Sequence, residues 1–103
     1  MQILNFPPLE ITMRQHNNRH EIYDPVRKRY FVLTPEEWVR QHVIAYLLLE
    51  KQVPINLIAV EKTLKINNLT KRFDVVVFNR NARPLMLIEC KAPGIRVNES
   101  VFD

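Results

Sequence analysis

The sequence contains one glycine, Gly94, and one cysteine, Cys90, in 103 residues. A single glycine excludes the Gly-rich phosphate loops of the Walker and dinucleotide types, which need several glycines for close backbone approach. A single cysteine excludes an internal disulfide framework and fits a reducing cytoplasm. No stretch approaches the ~18 uninterrupted apolar residues that a membrane span requires. The start, Met1-Gln2-Ile3-Leu4-Asn5-Phe6-Pro7-Pro8, lacks the basic region and long apolar run of a signal peptide. Any chemistry must therefore come from side chains.

What is present is ordinary for a globular chain: 47% hydrophobic and 25% charged residues, at most one domain, near the lower end of the usual size range. The formal charge is +4, from 15 basic and 11 acidic residues. That excess permits contact with a polyanion such as nucleic acid without requiring it.

The seven prolines divide the chain. Pro7-Pro8 opposes helix, so the first dozen residues read as an extended lead-in, and the polar residues 14–20 as a loop. Glu21-Ile22-Tyr23 and Tyr30-Phe31-Val32-Leu33 are β-prone runs separated by Asp24-Pro25 and the basic Arg27-Lys28-Arg29, which predicts a hairpin. Thr34-Pro35-Glu36-Glu37 is a helix start: Thr34 as N-cap, Pro35 in the first turn, Glu37 closing a capping box. The helix should run to about Lys51, with Val39, Val43, Tyr46 and Leu47 as its core stripe and Trp38 as an anchor.

Beyond Pro54, Ile58, Val60, Leu64 and Ile66 alternate with polar residues, which predicts a strand with these four on one face. Asn67-Asn68 signals a turn. Phe73–Phe78 and Leu85–Cys90 are nearly continuous apolar runs, as in strands covered on both faces, and 79–84 is loop chemistry. Ala92-Pro93-Gly94 breaks the last strand, and residues 95–103 show no period. The chain divides into an extension and hairpin (1–33), a helix with a three-stranded core (34–91) and a tail (92–103).

Two acids interrupt the apolar runs, where an unpaired charge is costly. If Phe78 pairs with Leu85 in an antiparallel hairpin, Asp74 lies directly opposite Glu89. Alternation then places Asp74, Val76 and Phe78 on one face with Leu85, Leu87, Glu89 and Lys91. Carboxylates so placed are roughly 5 Å apart at Cβ and repel. A divalent cation between them turns that repulsion into binding, and Mg²⁺ suits a site of one or two carboxylates, retained waters and substrate phosphate. Lys91 then stands ready to orient an attacking water or to balance charge on phosphate. A plain surface ion pair between Glu89 and Lys91 is the simpler reading of the same residues.

At these residues the chain resembles a known family. Lys71-Arg72-Phe73-Asp74 and Leu87-Ile88-Glu89-Cys90-Lys91-Ala92-Pro93, preceded by Asp24-Pro25-Val26-Arg27-Lys28 and Thr34-Pro35-Glu36-Glu37-Trp38-Val39-Arg40-Gln41, resemble the N-terminal nuclease domain of type I restriction enzyme R subunits and its short stand-alone relatives in the PD-(D/E)xK superfamily. The resemblance implies an α+β, restriction-endonuclease-like core, in which a first helix packs on a mainly antiparallel sheet of three strands. It also implies a Mg²⁺-dependent DNA endonuclease, with Mn²⁺ as an alternative ion, acting within a restriction-type complex or a homo-oligomer. Asp74 and Glu89 would be metal ligands, Lys91 the catalytic lysine, the Cys90 backbone carbonyl a further ligand, and Glu37 or Glu36 an acid contributed by the helix. The family's Gln-x-x-x-Tyr helix does not occur before Asp103, so the resemblance implies a domain that stops short of that helix and the following strands. The alternative is a catalytically silent module on the same fold that binds nucleic acid or protein.

Of the remaining residues, Cys90 alternates away from Glu89 and reads as a small buried hydrophobe rather than a reactive thiol. His16, His20 and His42 show no ligand spacing. Lys71 and Arg72, beside Asp74, are the better candidates for nucleic-acid contact. Arg27, Lys28 and Arg29 belong to the densest basic stretch, which reads equally as a solvated loop.

Overall fold

The computed structural model describes residues 11–91 and the backbone of 94–99. The lead-in over residues 1–10, the break at Ala92-Pro93 and the end of the tail lie outside the described residues. The chain forms a three-stranded sheet, one helix and a four-stranded sheet, with every strand pair antiparallel.

The first sheet contains β1 (Met13–His16), β2 (Arg19–Asp24) and β3 (Arg29–Val32) in that order. Residues 14–20, read as a loop, form a second hairpin instead. Asn17 and Asn18 take φ of 51° and 62°, the two positive values of a type I′ turn, and His16 pairs with Arg19 across it. The predicted hairpin is present as β2–β3. Its four-residue connection is closed by the Lys28 amide donating to the Asp24 carbonyl at 2.7 Å.

Helix α1 (Pro35–Leu49) starts where the sequence places it, and Thr34 Oγ1 accepts the Glu37 amide at 3.0 Å. It ends two residues short of Lys51. The amides of Glu50 and Lys51 both reach the Tyr46 carbonyl, and Gln52 turns the chain at φ 53°. Val39, Val43, Ile44 and Leu47 are buried, with Trp38 packed against the same cluster.

After one 3₁₀ turn (Ile55–Leu57), β4 (Ile58–Ile66), β5 (Leu69–Phe78), β6 (Pro84–Lys91) and β7 (Gly94–Glu99) form the second sheet in sequence order. Asn67 and Asn68, at φ 50° and 69°, repeat the type I′ turn. The expected three strands are joined by β7, whose backbone pairs along β6 from Met86 to Lys91. Its alternation is short, Ile95 and Val97 against Arg96 and Asn98, and it follows directly on Pro93-Gly94, so the sequence marks it only faintly.

The sheet has an apolar layer on each side. Val75, Val77, Ile88 and Cys90 pack with α1, whereas Phe73, Val76 and Leu87 form a separate cluster with Leu64, Ile66 and Phe78. The four alternating residues of β4 do not share one face: Ile58 and Val60 belong to the helix side, Leu64 and Ile66 to the other. The switch occurs at Glu61, which sits at φ 53° and is skipped by the ladder between Val60↔Val75 and Lys62↔Phe73. Asp74, skipped likewise, lies at the corresponding place in β5, and β5 changes sides there: Phe73 belongs to one layer and Val75 to the other.

Candidate active site

The register predicted for β5 and β6 is present where it matters. Val75↔Ile88, Val76↔Leu87 and Val77↔Met86 align the strands so that Asp74 and Glu89 come next. The starting pair differs: a bulge between Val77 and Phe78 sets Phe78 against Pro84 rather than Leu85. The shared face does not follow from this register, because the side switch at Glu61 takes Asp74 toward the helix. Asp74 Oδ1 accepts from Arg40 of α1 at 2.9 Å, and Oδ2 accepts the Cys90 backbone amide at 2.7 Å. Glu89 turns instead to Lys71, Nζ to Oε2 3.0 Å, beside the Phe73 ring. Lys91 is exposed at the end of β6.

Arg40 is one link of a chain of charges crossing the molecule. Asp24, fully buried, accepts the amides of Val26 and Arg27 on Oδ1 and the Arg27 Nε on Oδ2. Arg27 continues to Glu37 at 2.7 Å and to Glu61 at 3.2 Å. Glu37 accepts from Arg27 and Gln41 on one oxygen and from Arg40 on the other. Arg40 ends the chain on Asp74. Glu37 therefore does not close the predicted capping box, since its carboxylate points into the protein rather than back to Thr34.

These pairings explain the electrostatics. Burial pulls the Arg40 guanidinium down, but the hydrogen bond to Asp74 and the charges of Glu37 and Asp74 outweigh it, so its affinity for a proton rises. Arg40 Nε is buried without a hydrogen-bond partner, a defect that costs roughly 1–3 kcal/mol. Burial, with the Asp74 carboxylate adding to it, pushes the Cys90 thiol up to about 12. At neutral pH it is a packed, protonated side chain, as its alternation suggests.

A family model described as the type I restriction enzyme R protein N terminus (HSDR_N) matches residues 35–103, about two thirds of the chain. The chain belongs to that family. No curated protein matches it, and no solved structure does. In this R-protein N-terminal domain the matched residues begin at Pro35, so they hold α1 and the whole four-stranded sheet. The three-stranded sheet and Asp24–Lys28 precede them.

Within the R-protein domain, the sequence-derived site residues gather only in part. Asp74, Glu89 and Cys90 are neighbours at one end of β5 and β6, but Asp74 turns to Arg40 and the Cys90 amide while Glu89 turns to Lys71. The two carboxylates are therefore not brought together; Glu37 reaches Asp74 through Arg40. Arg72 is exposed and 4.0 Å from Glu61. Arg27 is taken up by three carboxylates, whereas Lys28 and Arg29 are exposed. Among the described residues no three His, Cys, Asp or Glu side chains form a cluster able to hold a metal ion. The donor chemistry nonetheless fits Mg²⁺: two carboxylates and a peptide carbonyl are hard oxygen donors, and this ion takes few protein ligands. The partners that sequence reasoning missed are Asp24, Arg40, Gln41 and Glu61. Arg40 was legible as a charge three residues after Glu37 on one helix face; Asp24 and Glu61 join only through tertiary contact.

Proposed function

We propose that this chain supplies the Mg²⁺-dependent DNA endonuclease domain, of PD-(D/E)xK type, of a restriction system. The observation that carries the reading is the β5–β6 register, which brings Asp74 next to the Glu89-Cys90-Lys91 strand in a chain of the R-protein family. Asp74, Glu89 and the Cys90 carbonyl would hold the ion. When bound, Mg²⁺ supplies Lewis-acid polarisation of a phosphodiester and a hydroxide at neutral pH. The chain's own residues do the rest. The Cys90 amide and Arg40 fix the Asp74 carboxylate, so its orientation is set before substrate arrives. Lys71 balances Glu89 and leaves it when a stronger cation competes. Lys91 offers an exposed ammonium to the phosphate or its attacking water.

Calorimetric titration with Mg²⁺ and Mn²⁺, alongside cleavage of supercoiled plasmid, tests this. Ion binding that Asp74→Asn abolishes, and cleavage that Asp74→Asn, Glu89→Gln and Lys91→Ala each abolish, are the expected results. Cleavage that survives Asp74→Asn overturns the assignment.

A second reading rests on the pairing of both carboxylates with cations of the chain itself, Arg40 and Lys71. On that reading the domain is a silent module of a larger restriction complex that binds DNA or protein. Absence of both ion binding and cleavage, with DNA binding retained, would favour it.

A further inference from the structure

Asp74 is held from two directions. The Cys90 amide donates to it from the neighbouring strand, and the Arg40 guanidinium donates to it from α1. Arg40 uses Nη1 on Glu37 and Nη2 on Asp74, while its buried Nε has no partner among the described residues. A side-on fork to one carboxylate would occupy Nε as well. The guanidinium spans two carboxylates instead, so its orientation follows from where Glu37 and Asp74 stand.

Glu37 is itself fixed from outside the helix. Its Oε2 accepts from Arg27 Nη2 at 2.7 Å and from Gln41 Nε2 at 2.9 Å, which leaves Oε1 for Arg40. Arg27 comes from the β2–β3 connection, where the fully buried Asp24 clamps its Nε at 2.6 Å. Asp24 is anchored in turn by the backbone amides of Val26 and Arg27. One planar guanidinium thus reaches carboxylates on β2, α1 and β4, namely Asp24, Glu37 and Glu61. A lysine, with a single compact ammonium, lacks that fork.

We propose that Arg27 is a positioning residue of the nuclease site: it fixes Glu37, and Glu37 aims Arg40 at Asp74. The three-stranded sheet then helps to set the orientation of a carboxylate on the other sheet. The inference rests on the metal-ion reading of Asp74. It gives Arg27 a role other than phosphate contact, and Glu37 a role other than metal ligand.

The test joins NMR of the isotope-labelled full chain without metal to calorimetric titration with Mn²⁺. The Cys90 amide and the Arg40 Nε–H report the two groups that hold Asp74. R27K keeps the charge and loses the fork. It should shift both resonances and weaken Mn²⁺ binding about tenfold, the lower end of the range for residues that orient metal ligands. R29Q alters a cation on the same Phe31 ring but outside the series, and should change neither reading. I58V removes a buried methyl group across from Val77, and should lower the denaturation midpoint while changing neither reading. A merely structural Arg27 would make R27K behave like I58V. If R27K does not fold, E37Q carries the same expectations, because its amide keeps the carboxylate's shape but sets an NH₂ against Arg27 or Arg40. Resonances that stay in place, a Mn²⁺ affinity within about twofold of the unaltered chain, or loss of fold in both variants would overturn the proposal. If the unaltered chain binds no Mn²⁺ while R27K moves both resonances, the positioning stands and the metal reading of Asp74 falls.

Discussion

Arg27 and Arg29 are two residues apart in one hairpin and touch the same Phe31 ring, yet they occupy opposite electrostatic situations. Arg27 binds Asp24, Glu37 and Glu61 and is largely enclosed. Arg29 is exposed, with its charge facing solvent. The contrast extends along the first sheet: one chain of charges ties the sheets and helix together, while Arg19, Lys28 and Arg29 at the hairpin ends stay exposed. What distinguishes the sets is burial, because a charge out of water must be matched internally and a charge in water need not be.

The largest expected effect tests that contrast directly. Arg27→Ala leaves the buried Asp24 without a guanidinium and Glu37 with Arg40 and Gln41 alone, and should cost about 3–5 kcal/mol in urea denaturation. Arg29→Ala should stay within about 0.5 kcal/mol. Equal losses would remove the distinction between the two sets. A smaller effect is expected at the far end of the chain of charges. Asp74 is partly exposed, so Asp74→Asn should cost about 1.5–3 kcal/mol, the range for a hydrogen bond to a charged group, with the transition midpoint as the measure.

Cys90 sharpens the comparison through pH. Its folded-state value, about 12, lies above the ordinary 9.0, so the folded state holds the proton more tightly. Its contribution to stability is complete below pH 9, declines above it and is lost by about pH 12. Denaturation midpoints of the parent and Cys90→Ala should therefore respond differently to pH over that window, and the native thiol should resist alkylation at neutral pH. The smallest effect is assigned to Lys71, whose side chain is 45% exposed in its pair with Glu89. Lys71→Gln should change stability by less than about 1 kcal/mol, while raising Mg²⁺ affinity in calorimetry by freeing Glu89. Unchanged affinity would remove Lys71 from the site.

The parts of this architecture legible in the sequence are those set by local chemistry. Thr34-Pro35 marks the helix start through capping, and the apolar runs around Val76 and Leu87 carry their own register. Asn67-Asn68 and Asn17-Asn18 make the same turn, but only the first is flanked by strands with apolar alternation; Gln15-His16 and Arg19-His20 hide the second. The side switch at Glu61 leaves only a slight trace, since Ile58, Val60, Leu64 and Ile66 share one parity and Lys62, beside the switch, interrupts it as a single polar residue would in any strand. The pairing of Asp24 and Glu37 with Arg27 is not legible, since it depends on how the hairpin docks on α1. The two acids were identifiable as misfits in apolar strands; the cations that answer them were not.

The side switch has a consequence for how this sheet tolerates change. In a strand with an apolar layer on each side, a carboxylate needs a partner wherever it points. Where β4 and β5 change sides together, Asp74 finds its partners in Arg40 and the Cys90 amide. Deleting Glu61, and with it the side switch, should cost Asp74 these two partners. The hairpin can vary in its outward cations and still fold; this crossing point cannot shift by one residue without losing the acid on which the proposed chemistry depends.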